Sequence, residues 1–157
     1  MSGPVPGIAA ETARTREILA AIDSAFAVER PSWFVNARHC CECAEHEAEL
    51  QPFGRDDLPL EVVSSPAWDP IAFISHRDGF AYFLPRLVRF AYGRGEAFYL
   101  DQFLANLRED RVALMSPQQR RALIDLIYDL VEVLAEDISD HDWPALEWCL
   151  ATLEGVR

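Results

Sequence analysis

Residues 75 to 90 read Ser75-His76-Arg77-Asp78-Gly79-Phe80-Ala81-Tyr82-Phe83-Leu84-Pro85-Arg86-Leu87-Val88-Arg89-Phe90, and they decide the fold class. Phe80, Phe83, Leu84, Leu87 and Phe90 recur at i, i+3, i+4, i+7 and i+10, which places them on one face of a 3.6-residue helix. Such a face is expected to be buried. Ser75, with Asp78 three residues on, reads as the start of this helix through an imperfect capping box, since Glu or Gln is the better partner. Pro85 lacks an N–H and clashes one turn back, which predicts a kink or two abutting helices.

The same period extends outward in both directions. Ile18, Leu19, Ile22 and Phe26 predict a helix over residues 12–28, ending before Pro31. Glu45–Leu50 holds good helix formers. Residues 52–70 contain four prolines and read as loop, with one short turn around Leu58–Val63. Gly93 and Gly95 precede a helix over 96–107. Ser116-Pro117-Gln118-Gln119 is the clearest start signal, with a serine cap, proline at the first helical position and glutamine at the third. Beyond it Leu123, Ile127, Leu130 and Leu134 form an apolar stripe, while Asp125, Asp129, Glu132 and Glu136 are expected to face water. Asp142-Trp143-Pro144 opens a last helix carrying Trp148, Cys149 and Leu153. No strand alternation of useful length occurs. The expectation is an all-α single domain of five to seven helices over 12–157, preceded by a flexible tail at 1–11.

At 157 residues the chain can bury a core without a disulfide or metal staple. Its net charge is −12, and all fourteen basic side chains are arginine. That charge repels phosphate backbones and anionic lipid, so nucleic-acid and membrane binding are disfavoured. The acids Asp125, Asp129, Glu132, Glu136, Asp137, Asp140, Asp142, Glu147 and Glu154 fall in a stretch without arginine, a face that suits either solvent or a basic protein partner. The first residues lack the basic-then-apolar pattern of a secretory signal, and no apolar run nears the ~20 residues that span a bilayer. A cytoplasmic location, with reduced thiols, is expected.

The candidate chemistry lies at His39-Cys40-Cys41-Glu42-Cys43-Ala44-Glu45-His46-Glu47, which holds three of the four cysteines and two of the four histidines. Thiolates and imidazoles at such spacing suit zinc or another transition metal, with His39, Cys40, Cys43 and His46 as the candidate ligands. On one unbroken helix His39 and His46 would lie about 10 Å apart along the axis, too far for one ion. Either the segment begins as a turn, with Cys40-x-x-Cys43 as a knuckle and His46 on the first helical turn, or further ligands come from His76, Asp78, His141 or Cys149. The competing readings are buried structural thiols and a thiol redox pair with a lowered pKa at a helix start. Enzyme signatures are incomplete: His46-Glu47-Ala48-Glu49-Leu50 lacks the second histidine of a zinc-protease helix, and Gly93-Arg94-Gly95 is too short for a phosphate loop. Trp33, Trp68, Phe80, Tyr82, Phe83 and Tyr92 read as core.

Arg30-Pro31, His39-Cys40-x-Glu42-Cys43-x-Glu45-His46, Trp68, Phe73-Ile74-Ser75 and Phe80-x-Tyr82-Phe83-Leu84-Pro85, in that order, resemble a family of small bacterial proteins of unknown function. The resemblance covers roughly residues 26 to 92. It implies that His39, Cys40, Cys43 and His46 are the signature positions, that they belong with Tyr82–Pro85, and that Cys41 is an addition. Three functions follow from these observations: a cytoplasmic zinc-binding helical protein with a structural or regulatory metal; an acidic, immunity- or adaptor-like module for a basic partner; and a thiol redox protein.

Overall fold

The computed structural model describes residues 11 to 155, so all but one residue of the expected tail lies outside the described residues. Eight α-helices follow one another among the described residues: α1 (Ala13–Ala25), α2 (Cys41–Leu50), α3 (Leu60–Val63), α4 (Gly79–Ala91), α5 (Leu100–Asn106), α6 (Glu109–Ala113), α7 (Pro117–Val133) and α8 (Trp143–Glu154). Two 3-10 turns, Pro70–Phe73 and Gly95–Ala97, complete the set, and no strand occurs among these residues. The all-α class is therefore correct, with one helix more than expected. The surplus is α6, five residues long, which is too short to show a period in sequence. The helix read over 96–107 divides into the second 3-10 turn and α5.

The stripe at residues 80–90 sits at the centre. Phe83, Leu84, Leu87 and Val88 are wholly buried, and Phe80 and Phe90 nearly so. Pro85 is accommodated in one continuous helix, so the expectation of two abutting helices is corrected. The balance of magnitudes explains this: an interior proline costs about 3 kcal/mol, whereas each large apolar side chain buried here contributes about 1.5–3 kcal/mol. The start also differs from expectation. Ser75 does not cap α4, because its hydroxyl accepts the Asn36 N–H at 3.1 Å, and the helix begins only after Asp78. Phe34 carbonyl accepts from both Ser75 N–H and His76 N–H, which ties the loop before α2 to the loop before α4.

Around α4, α1 and α5 pack against it, α7 lies along α1, and α8 covers α5 and α7. The capping box at α7 forms as expected, with Ser116 Oγ accepting from Gln119 N–H and Gln119 Oε1 from Ser116 N–H. Thr12 caps α1 and Gly155, at φ 72°, ends α8 in the left-handed conformation. After α4 the chain turns so tightly that a Cβ at Gly93 would lie 2.1 Å from the Ala97 carbonyl oxygen, so only glycine fits. The loops are pinned by arginine. Arg55 donates to the carbonyls of Phe26, Val28 and Tyr82, and Arg111, itself buried, donates to those of Ile71, Ile74 and Asn106. No helix among the described residues is long and apolar enough to cross a membrane.

One residue of the acidic stretch departs from expectation. Asp129 does not face water: it is 2% exposed and accepts from Tyr92 O–H at 2.7 Å and Thr15 O–H at 2.9 Å, with Arg14 Nε at 3.8 Å. Asp129 falls one turn after Leu126, at the edge of the apolar stripe, where α1 and α4 close over it. Two hydroxyls and a nearby guanidinium satisfy the carboxylate, which is what makes its burial affordable. Other acids of the same stretch also have cationic neighbours: Asp125 pairs with Arg121, Glu132 with Arg14 and Asp137 with Arg94.

Candidate metal centre

The segment from Asn36 to Cys43 changes from turn to helix, and that change assembles the donors. His39 N–H donates to Asn36 carbonyl, which closes a turn before α2. Cys40 is the N-cap, with extended backbone (φ −163°, ψ 174°), and its Sγ accepts from the Cys43 N–H at 3.4 Å. Sulfur thus takes the place that a serine oxygen fills in ordinary caps. Cys43, at the third helical position, carries its own Sγ back toward His39, whose Nδ1 lies 3.4 Å away. One donor atom each from His39, Cys40 and Cys43 lies within 4.8 Å of the other two.

These separations can be judged against tetrahedral zinc. Zn–S and Zn–N bonds of about 2.3 and 2.05 Å imply N···S edges of about 3.5 Å and S···S edges of about 3.8 Å. The His39–Cys43 distance already matches, and the remaining pairs need at most about 1 Å of contraction. His39 and Cys40 are exposed while Cys43 is buried, so the set sits at a rim. The N–H of Cys43 donated to Cys40 holds that thiol below its ordinary range, whereas hydrogen bonding to Cys40 raises Cys43. The two thiols therefore differ in their readiness to ionise, Cys40 more readily than Cys43.

His46 stands apart from this group. It is 0% exposed, and its ring is held between Trp68 and Phe73, with centroids 4.2 and 4.3 Å away. Its nitrogens face Glu42 and Glu49 at 3.7 Å each and have no hydrogen-bond partner. Cys40 and Cys43 therefore converge with His39 and not with His46, which instead packs α2 against the Pro70–Phe73 turn. The neighbouring acids add to that packing: Glu47 accepts from the N–H groups of Phe34 and Val35, and Glu49 accepts from the Trp68 indole N–H. Cys41 is exposed and outside the group.

The more distant candidates divide. His76 and Asp78 line the same cleft as His39 and Cys43. His76 meets the edge of Trp33 with centroids 4.7 Å apart, and its Nδ1 accepts from Asp78 N–H. His141 is exposed between α7 and α8. Cys149 is buried against α5, its S–H donating to Leu104 carbonyl, and burial pushes its thiol up to about 11.

The cleft beside the cluster encloses about 740 Å³, within the range of small-molecule sites. Val35, Phe80 and Met115 give it apolar walls, and Trp33 stands 41% exposed at its side rather than in the core. The sequence offered a faint signal for Trp33, which follows Pro31 in a segment that is not helical and so lacks the period of a core position. Comparison of the chain with models of protein families, with curated proteins and with solved structures finds no match.

Proposed function

We propose that the protein is a zinc-binding helical protein, with His39, Cys40 and Cys43 as its ligands and the metal in a regulatory rather than fold-defining role. The observation that carries this reading is the convergence of one imidazole and two thiols at the turn into α2. Two thiolates balance the charge of a divalent ion, and the sulfur-rich set favours zinc over magnesium or calcium, which prefer oxygen. The main helix-to-helix packing runs among α1, α4, α5, α7 and α8, while α2 seats on the Pro70–Phe73 turn, so the ion acts as a local clasp between residue 39 and α2. Three protein donors leave one tetrahedral position for something else, which is the arrangement of accessible rather than closed zinc sites.

The test is elemental analysis of chelator-free full-length protein, with thiols counted before and after chelation. One zinc per chain, absent from Cys40→Ala and Cys43→Ala but retained in Cys41→Ala and His46→Phe, is the expected outcome. Metal-free protein in which zinc titration protects no thiol would overturn the assignment. The redox alternative makes the opposite prediction, since it requires Cys40 and Cys43 to form a disulfide in air while zinc is without effect.

A further inference from the structure

We infer that the cleft beside the cluster binds a small apolar carboxylate, whose acid group takes the fourth position on the metal; this rests on the zinc reading above. Three observations converge. First, two of the three donor residues, His39 and Cys43, line the cleft, so an ion held by them would border that space. Second, the apolar wall of Val35, Phe80 and Met115, with Trp33 exposed at the side, is shaped for a hydrocarbon or aryl group, which gains most from leaving water.

Third, the charge of the cleft runs against that of the chain. In a molecule of net charge −12, the lining carries Arg77, Arg108 and Arg111 against only Asp78 and Asp110. Arg108 is paired with Asp110 at 3.2 Å, and Arg77 only loosely with Asp78 at 3.9 Å. Arg111 spends its donors on backbone carbonyls, so its positive charge is not cancelled by a carboxylate hydrogen bond. The local excess is positive, and a monoanion is favoured over a cation of the same shape. A metal centre with two thiolates and one imidazole is itself neutral, so an anionic fourth ligand is not repelled by it. The cleft volume admits a molecule the size of an aryl propionate and is too small for a folded partner.

The experiment uses full-length protein loaded with cobalt(II), whose visible ligand-field bands report the donors around the metal while its thiolate charge-transfer bands report that the metal stays bound. The probes are 3-phenylpropionate, acetate and 2-phenylethylamine. The expected result is that phenylpropionate shifts the ligand-field bands at a concentration at least about tenfold below that needed for acetate. The amine leaves the bands unchanged. Trp33→Ala, at an exposed position unneeded by the core, should erase most of the preference for phenylpropionate over acetate, and Arg77→Gln should weaken both acids. Cobalt bands that ignore phenylpropionate, or respond equally to acetate or to the amine, would overturn the inference and leave the metal assignment standing. Failure to take up cobalt at all would bring down both.

Discussion

Two polar groups border the same core, and the chain treats them in opposite ways. Around Asp129, the hydroxyls of Thr15 and Tyr92 and the guanidinium of Arg14 converge on one carboxylate, which is itself almost fully shielded. Its donors and acceptors are matched within the molecule. At the turn into α2, His39 and Cys40 stand in solvent and only short thiol contacts join them to Cys43. There the donors outnumber any partner the chain supplies. A satisfied buried network contributes to stability and specifies how helices meet. A converging set left at the surface, beside a cleft, has capacity for a ligand. The difference between α7 and α2 is therefore a difference between polar groups used for folding and polar groups held in reserve.

The largest effect should come from the satisfied network. Asp129→Ala strands the Tyr92 and Thr15 hydroxyls and removes a charge-assisted acceptor, and is expected to destabilise by about 3 kcal/mol. Urea denaturation should give the same loss with and without chelator. A loss that disappeared on zinc addition would mean the two regions are not independent. Next, His46→Ala should cost about 2–3 kcal/mol, because it opens a void between Trp68 and Phe73. His46→Phe should recover most of this, and neither change should alter zinc stoichiometry. Loss of zinc in His46→Phe, with the fold intact, would move this histidine from the packing side of the comparison to the binding side.

Alkaline pH probes the buried side again. Burial pushes the Cys149 thiol up to about 11 and, together with the neighbouring Asp129, raises the Tyr92 hydroxyl as well. A raised folded-state pKa means that the native chain holds its proton after the unfolded chain has released it. The stability involved is intact below the unfolded pKa and falls as pH climbs through the interval. For Cys149 the loss begins near the ordinary thiol range, about 8.5, and reaches on the order of 2 kcal/mol by pH 11. The Tyr92 loss begins higher, near about 10. Cys149→Val should flatten the first part of the alkaline limb in a pH series of urea midpoints; an unchanged limb would refute the assignment. The smallest effect belongs to the exposed cluster. Cys40→Ala removes only a sulfur cap from apo-α2 and should leave the urea midpoint almost unchanged, yet abolish zinc uptake.

The sequence made the helices legible wherever period and punctuation coincided. The α7 capping box and the stripe at residues 80–90 are the plainest cases, because each helix encodes its own start or its own buried face. Reading failed where a distant segment decided the outcome. Ser75 was drawn away from α4 by the Asn36 N–H, and Asp129 was drawn inward by α1 and α4, neither visible from local spacing. At the site, Cys40 and Cys43 were marked by their own spacing, and His39 by adjacency. His46 shared that spacing but not that destination. Its neighbours Trp68 and Phe73 lie more than twenty residues on, and their two rings enclose the imidazole. The cleft was hidden altogether, since its walls are contributed by segments from residue 28 to residue 119.

Arg111 carries a consequence for motion. Its guanidinium binds the carbonyls of Ile71 and Ile74 from α6 and lies over the Phe80 ring at 4.4 Å, riveting one wall of the cleft to the centre of the domain. That wall therefore belongs to the same cooperative unit as α4, and its amides should exchange for deuterium as slowly as those of the central helix. On that footing the cleft is expected to keep its shape with or without a ligand.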